Sequence, residues 1–375
     1  MFEMGREIRR LFAQDAPRDG LSFGDAGLLE LLNLDLLRAE CRSADIAAGR
    51  IGARDRPQRV LDSAVVWREL ARRTGDAAAL RKAASLAEDA AARFKTDNRP
   101  RGVARARCEQ ALVAIAGAQL FAEDGLNAAA EYVLAEIAQA SDFARGTLAG
   151  LNVRTLLSSG DLEAAMSAAR AWDGPIAALD AHSRDASAAL AARRLRCDRA
   201  EFLTGCGARL HAPCLFEAAL ADLGKAAHGL DPAYRPLSFA RVQELRGLAL
   251  AGLGEAAGDA TPLLEAAEIL ANAADSIDPG HSPVDWARIQ ASLAQTLMAL
   301  GEAGDCEAAF DKALADFDRA LSVLDGVPGL ALRAGAAQSR ATALVRRAEV
   351  CGDVYALDEA EAVFRSELAA LKPSL

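Results

Sequence analysis

The chain has 375 residues and a formal net charge of −10. This acidic balance disfavours general binding to a phosphate backbone and a polybasic membrane contact, since both need clustered Lys and Arg. Hydrophobic residues make up 52% of the chain but aromatic residues only 5%, so Ala and Leu carry the apolar content. Because both residues favour helices and the β-branched and aromatic runs typical of strands are missing, the composition predicts an all-α protein.

The N-terminal stretch predicts a short amphipathic helix over residues 1–20, which Pro17 and Gly20 terminate. Its apolar face holds Met4, Ile8, Leu11 and Phe12. Charges occur throughout and there is no apolar core of secretory length, so we expect no signal peptide. We expect the helix to cover the first repeat; a membrane-surface or partner-docking helix is the alternative.

A leucine-rich stretch follows and predicts a helix from Ser22 to about Cys41. Its leucines, at positions 28, 29, 31, 32, 34, 36 and 37, go nearly all the way round the helix, and a helix that is apolar on every side is buried. We expect burial inside the chain, and a homodimer through residues 25–41 is the alternative. Residues 1–55 are thus predicted to form an N-terminal capping domain.

Residues 56–375 are predicted to form an array of about seven helical hairpins, one for each recurring turn. Gly suits the left-handed position after a helix, and Asp caps the helix that follows. The predicted turns are Gly75-Asp76, Asp124-Gly125, Gly160-Asp161, a looser one near Cys206-Gly207, Gly258-Asp259, Gly304-Asp305 and Gly352-Asp353. Prolines mark the joints between hairpins, where a missing N–H does no harm: Pro57, Pro100, Pro232, Pro236, Pro279, Pro283 and Pro328.

Two hairpins between Tyr234 and Asp325 repeat each other most closely. The stretch PLSFARVQELRGLALAGLGE begins at Pro236, and PVDWARIQASLAQTLMALGE begins 47 residues later (283 − 236) at Pro283. Self-similarity at a fixed period of a few tens of residues predicts stacked repeats.

This pattern resembles the tetratricopeptide repeat. Leu293-Ala294-x-x-Leu297-x-x-x-Gly301, followed by Ala313-x-x-x-Phe317-x-x-Ala320 and Asp325, is similar to one such repeat with a lengthened turn. The unit at Val153, Leu156, Gly160 and Ala165 has the family's ordinary spacing, although Val153 stands where the family has a small residue. The resemblance covers roughly residues 56–370, and the longer units resemble those of large bacterial repeat proteins. It implies an α-solenoid, a right-handed superhelix whose concave wall of first helices binds an extended peptide or partner helix.

The family's groove positions fall mostly on charged residues: Arg72, Arg73, Arg154, Arg241, Glu244, Arg288, Gln295, Arg346 and Arg347. First helices carry mostly Arg and second helices mostly Asp and Glu, so a relatively basic groove would grip the carboxylates of an acidic partner peptide. The alternative is that basic and acidic helices simply face one another across each hairpin, and that Arg in a last turn favours its own helix dipole.

Catalysis has no predicted site. The four histidines lie in different segments, none in a motif with a nucleophilic Ser or Cys, and no Gly-rich phosphate loop follows a strand. The ligand-like cluster Cys197, Cys206, His211 and Cys214 lacks the paired short spacings of a zinc site. We therefore expect no enzyme activity, no metal and no cofactor.

The sequence thus predicts a non-catalytic scaffold or adaptor that binds another protein or peptide in its concave groove. A ligand- or peptide-responsive regulator is the alternative, and it predicts one deep pocket rather than an open groove. We expect no nucleic acid partner and no transmembrane segment, because no stretch approaches about 18 uncharged apolar residues. Seven dispersed cysteines without a C-x-x-C pair suit reduced thiols, so we expect a cytoplasmic location.

Overall fold

A computed structural model describes residues 28–50, 55–304, 306–327, 329–353, 355, 357–358, 360–362 and 365. Throughout these residues the regular structure is helical and contains no strand. The all-α prediction is therefore confirmed for the described chain. The amphipathic helix predicted for residues 1–20 lies outside it.

The helices follow one another with short connections. They are α1 Leu34–Gly49, α2 Arg56–Thr74, α3 Ala77–Thr96, α4 Pro100–Phe121, α5 Asp124–Ile137, α6 Asp142–Asn152, α7 Leu156–Ser159, α8 Leu162–Ala169, α9 Asp173–Asp180, α10 Ala186–Leu210, α11 Pro213–Ala227, α12 Pro236–Ala257, α13 Ala260–Asp275, α14 Pro283–Gly304, α15 Glu307–Leu324 and α16 Ala331–Cys351. A short 3₁₀ helix, Arg170–Trp172, joins α8 to α9.

Consecutive helices pack side by side in a repeat-like way. The pairs α2–α3, α4–α5, α10–α11, α12–α13 and α14–α15 are hairpins. The first helices also contact one another, α2 with α4, α6 with α10, α10 with α12, α12 with α14, and α14 with α16. We call α2, α4, α6, α10, α12, α14 and α16 the inner helices, because each of them contacts at least one other first helix.

Small residues allow the helix axes to approach closely at the crossings. A Cβ built on Gly247 of α12 would lie 2.5 Å from Cγ of Leu270 in α13, and one on Gly301 of α14 would lie 2.6 Å from the ring of Phe310 in α15. Ala294 and Ala313 are fully buried where α14 packs on its neighbours. The repeated Ala and Gly positions therefore set the interhelical distance, and larger side chains fill the space beside them.

The predicted turns at Gly75-Asp76 and Gly258-Asp259 are confirmed. The turn predicted at Asp124-Gly125 lies two residues earlier, at the left-handed Ala122, and Asp305 of the turn predicted at Gly304-Asp305 lies outside the described residues. Gly75 has φ of 72° after α2, and the Asp76 side chain accepts hydrogen bonds from the backbone N–H groups of Ala78 and Ala79. Gly258 repeats this with φ of 65°, and Asp259 caps α13. Each turn satisfies backbone groups at one helix end and the next helix start.

The turn predicted near Cys206-Gly207 is wrong. Both residues lie inside α10, which continues to Leu210 and ends with His211 in the left-handed conformation, φ 48°. Pro213 occupies the first turn of α11, where its missing N–H costs nothing. The sequence has no Gly at this turn. The rule that a Gly follows each helix therefore placed the turn at Gly207, four residues too early.

The single helix predicted from Ser22 to Cys41 is interrupted. Residues 22–27 lie outside the described part, residues 28–29 are helical, and the chain then turns before α1 begins at Leu34. The side chain of Asn33 accepts from the backbone N–H of Leu36 at this start. Helix α1 then continues past Cys41 to Gly49. Asp45 fixes it to the array, because its carboxylate accepts from Ser63 Oγ at 2.8 Å and from the Trp67 indole at 3.0 Å.

The unit between α5 and α10 is irregular. Its second half is broken into α8, a 3₁₀ helix and α9, and the turn at Gly160-Asp161 separates α7 from α8 as predicted. Trp172 is fully buried beneath this unit, with its ring centroid 5.7 Å from that of Phe202 in α10. A large buried indole thus replaces the regular second helix of the other hairpins as packing material.

The array curls back so that early inner helices contact late ones. Helix α2 touches α14, and α4 touches α16. A buried apolar cluster joins the end of α4 to the start of α14, the end of α15 and the residue before α16. Its core is Leu120, Val284, Ala287, Ala320, Leu324 and Leu330. Segment 28–34 closes the same region: the Glu30 carboxylate accepts from Ser238 Oγ of α12 at 2.6 Å, and Leu34 N donates to Gly280 O at 3.4 Å.

Candidate functional site

Charged side chains of four inner helices are linked in one chain of ion pairs. Arg72 of α2 donates to both carboxylate oxygens of Asp285 in α14, at 2.9 and 2.7 Å, and to Glu69 in its own helix. Ser282 also donates to Asp285, at 2.6 Å. Burial raises the pKa of Asp285, but Arg72 and Arg288 outweigh burial and hold that pKa well below its usual value.

Glu244 of α12 continues the chain between two arginines. Arg288 Nε lies 2.8 and 2.9 Å from its two oxygens, and Arg241 Nη1 lies 3.0 Å away. Arg288 also donates to Asp285 at 3.0 Å, which links α12 to α14 and α2. Because the Glu244 side chain is only 1% exposed, the two guanidinium groups supply its solvation.

The chain ends on α10, where Arg241 Nη2 donates to Glu201 at 2.7 Å. We call Glu69, Arg72, Asp285, Arg288, Glu244, Arg241 and Glu201 the inner ion-pair chain. Burial alone would lower the pKa of Arg241, but Glu201 and Glu244 raise it well above its usual value. The side chains of Arg72, Arg288 and Arg241 are 31%, 31% and 27% exposed. Water therefore reaches the inner faces of these helices.

A second pair joins α2 to α4. Arg68 Nε lies 2.5 Å from Glu109 Oε1, and both side chains are buried. The pKa of Arg68 is raised because Glu109 outweighs burial. With one partner on each helix, this pair fixes how the two hairpins stack.

Arg73 was predicted to face the groove, yet its side chain is fully buried. Its guanidinium donates to the backbone oxygens of Leu29 and Leu32, both at 2.6 Å, and to Glu69 at 2.7 Å. Three satisfied donors anchor segment 28–32 to the end of α2. Because it is fully buried, Arg73 cannot contact a partner in the groove.

Two half-buried charges on the inner face of α10 stand outside these pairs. Arg194 lies over the ring of Phe143 in α6, with 5.8 Å between the guanidinium carbon and the ring centroid. Asp198 follows one helical turn later. Among the described residues neither has a salt-bridge partner or a hydrogen bond to its charged group.

Among the described residues, no salt bridge or hydrogen bond joins the remaining predicted groove residues to the inner ion-pair chain, although the charge of Arg154 helps to lower the pKa of Glu201. Arg154 is exposed after α6, and Gln295 of α14 donates to Ser339 Oγ of α16 at 3.2 Å. Arg346 of α16 is exposed and pairs with Glu302 and Glu349. The structure therefore links Arg72, Arg241, Glu244 and Arg288 through shared carboxylates, and no ion pair or hydrogen bond in the described part of the chain links Arg154, Gln295, Arg346 or Arg347 to them.

Some arginines of first helices do pair with acidic second helices. Arg199 of α10 forms a bidentate pair with Asp222 of α11, at 2.6 and 2.5 Å. Arg347 of α16 pairs with Glu307 and Asp311 of α15, at 2.8 and 2.9 Å. These contacts match the alternative interpretation of the charge pattern, in which basic first helices face acidic second helices across a hairpin.

The acidic partners on the inner helices were missed by sequence reasoning. Asp285, Glu201 and Glu109 stand on helices that the charge pattern described as basic. A signal was present, because Asp285 precedes Arg288 by three residues and Glu244 follows Arg241 by three. Opposite charges at this spacing share a helix face.

The cysteine and histidine cluster is dispersed around the end of α10. Cys197 and Cys206 are buried, and burial raises the pKa of the Cys197 thiol to about 12, whereas Cys214 is exposed. In the described part of the chain no group of three or more His, Cys, Asp or Glu side chains is placed to hold a metal ion. A helix that meets the length and hydropathy needed to cross a bilayer is likewise not found there.

Comparison with known proteins gives little beyond the helical repeat. No protein-family model matches the chain, and no curated protein matches it. A solved structure described as a circular tandem repeat protein with novel repeat topology and enhanced subunit contact surfaces is similar over 89% of this chain and 88% of its own. Its sequence identity is 16% and its TM-score is 0.29, so this similarity supports no functional argument.

Proposed function

We propose that this helical-repeat protein is a non-catalytic, ligand-responsive regulator that holds a small molecule or a short peptide between its inner helices. The contact of α2 with α14 carries this proposal. A long extended partner lying along the inner helices would have to break the Arg72–Asp285 pair and compete with Glu244 for Arg241 and Arg288. A small ligand could contact the exposed parts of these arginine side chains and leave their ion pairs in place.

We also propose that the hairpins are tetratricopeptide-like and wind as a right-handed superhelix in a cytoplasmic protein. The resemblance is supported by burial, since Ala294, Ala313, Phe317 and Ala320 are all fully buried at the motif positions. In this proposal the tight curl follows from the small residues at each crossing.

A scaffold that binds an acidic partner peptide is the second candidate. The exposed Arg154, Gln295 and Arg346 favour it, because they remain accessible outside the inner ion-pair chain. Such a partner would bind along the edge of the array rather than along its closed inner face.

A thermal-shift screen of the full chain separates the two candidates. The panel contains amino acids, nucleotides, organic acids, short peptides and a long acidic peptide. A small ligand that saturates the inner site is expected to raise the melting temperature, since occupancy at 100 times Kd adds about 2.7 kcal/mol to stability. A response to the long acidic peptide alone would contradict the regulator and favour the scaffold.

A further inference from the structure

Two charged side chains on α10 form no salt bridge with the other described residues. Arg194, Asp198 and Glu201 recur every three or four residues and therefore share one face of that helix. Glu201 is paired with Arg241, whereas Arg194 and Asp198 form no salt bridge within the described residues and attract each other only at longer range. A charge taken partly out of water without a partner carries a desolvation cost.

The surroundings of Arg194 leave its charge only partly compensated. Burial lowers its pKa, Asp198 raises it in part, and the neighbouring charges of Arg68 and Arg72 in α2 lower it further. Arg68 already has Glu109 as its partner, and Arg72 has Asp285, so neither carboxylate is free to serve Arg194. The ring of Phe143 supports one face of the guanidinium and leaves its edge donors unused.

Asp198 is a carboxylate without a salt-bridged cation. Burial and the neighbouring Glu201 raise its pKa to about 6, and Arg194 and Arg241 compensate only in part. Arg241 is held by Glu201 and Glu244. A cation brought to Asp198 would therefore meet a carboxylate that no fixed guanidinium neutralises.

Direct pairing of the two residues is the simplest alternative. They are four residues apart, but the basic residue comes first, which is the less favourable order for an ion pair on a helix. In the structure Arg194 stacks on Phe143 of the neighbouring inner helix instead of bonding Asp198. Both charged side chains are partly exposed, so water or a small ligand can reach them.

We propose that Arg194 and Asp198 recognise a small zwitterion, a free α-amino acid, whose carboxylate binds the Arg194 guanidinium and whose ammonium group binds the Asp198 carboxylate. This rests on the proposed regulator function and names its ligand class. The two ends of such a ligand match side chains about 5–6 Å apart at Cβ on one helix face. A ligand with no net charge also suits an inner surface whose other charges are paired with one another.

Titration calorimetry on the full chain tests this with three probes: a panel of L-amino acids, their N-acetyl derivatives, and their amides. The N-acetyl derivatives lack the ammonium group, and the amides lack the carboxylate. At least one amino acid is expected to bind, with each blocked form at least about tenfold weaker. Equal binding of free and blocked forms would overturn the proposal.

Variants assign the two contacts. Arg194→Gln should lower the affinity for the free amino acid at least about tenfold. Asp198→Asn should remove the preference for the free amino acid over its N-acetyl form, a change in selectivity that loss of folding would not produce. Arg145→Gln is the matched control, since Arg145 is an exposed arginine of α6 paired with Asp142. An equal loss in Arg145→Gln would overturn the assignment.

Failure of the ligand class can be told apart from failure of the regulator function. If no amino acid binds at ~10 mM while another small molecule of the thermal-shift panel does, the zwitterion site is wrong and the regulator stands. If no small molecule binds at all, both are wrong. Circular dichroism of each variant confirms that the helices are intact.

Discussion

At the scale of single residues, Glu244 is the most constrained carboxylate of the inner ion-pair chain. It is 1% exposed and shared by Arg241 and Arg288. Glu244→Gln keeps the shape of the side chain but leaves two guanidinium groups around a neutral amide. Breaking a buried pair costs about 3–5 kcal/mol, and because both arginines are part-exposed we expect about 2–3 kcal/mol in urea unfolding.

The control for this substitution is Glu349→Gln. Glu349 pairs with Arg346 at the surface, where both side chains are about half exposed. Exposed pairs of this kind contribute roughly 0–1 kcal/mol, so the variant should unfold almost like the original chain. Equal losses in the two variants would contradict a structural role for the inner chain.

Asp198 gives a prediction about pH. Its pKa in the folded chain is raised from 3.8 to about 6, with burial as the main cause. Between these values the folded state holds a proton that the unfolded state has released, so this group makes stability fall as pH rises from about 4 to about 6.

Asp198→Asn removes this pH dependence. Its stability relative to the original chain should therefore increase across this window and stay constant above it, as denaturant unfolding at several pH values would measure. A difference that is the same at every pH would contradict the raised pKa.

At the scale of the helices, the crossing of α12 and α13 depends on the absence of a side chain at Gly247. A Cβ there would lie 2.5 Å from Leu270 Cγ, and Leu270 is itself fully buried. Gly247→Ala should therefore cost about 1–3 kcal/mol by overpacking, despite the better helix propensity of Ala. Thermal and urea unfolding measure the loss.

Gly335 of α16 is the matched control. A Cβ at this position meets nothing within 4 Å. Gly335→Ala should stabilise the chain by about 0.5–1 kcal/mol, because Ala loses less backbone entropy in a helix. Opposite signs for two Gly→Ala changes in helices would show that packing, and not propensity, determines the first result.

At the scale of the whole molecule, the contact between early and late inner helices should control overall dimensions. Leu330, 2% exposed, packs with Leu120 and Leu324, and two of its methyl carbons lie under 3 Å from a Cβ built on Gly75. Leu330→Ala removes this bridge without touching the hairpin crossings. We expect a larger radius of gyration by small-angle scattering, with unchanged helix content by circular dichroism.

Leu263→Ala tests whether that expansion is specific. Leu263 is also 2% exposed, but it packs between α12, α13 and α14 within the row of neighbouring helices. Both substitutions should cost about 2–5 kcal/mol as large-to-small core changes. Expansion after Leu263→Ala, or its absence after Leu330→Ala, would contradict the role assigned to the closing contact.

Much of the local structure was predictable from sequence because it depends on neighbours in the chain. The Gly-Asp turns at 75–76 and 258–259 were found because caps act within four residues. The turn after α10 was missed because Pro213 and His211 form it without a Gly. The broken helices α7 to α9 were also missed, because burial of Trp172 is a tertiary contact.

The sequence by itself determined that this chain is helical, that its hairpins recur, and that arginines cluster on the first helices. Only the tertiary structure decided which of those arginines are free. Arg72 meets Asp285 across 213 positions of sequence, and Arg73 is buried by the backbone of segment 28–32. Helical periodicity shows which face a residue occupies, but partners so distant in sequence are set by the curvature of the whole array. That curvature accumulates from the packing angle at every helix crossing, and no local pattern encodes it.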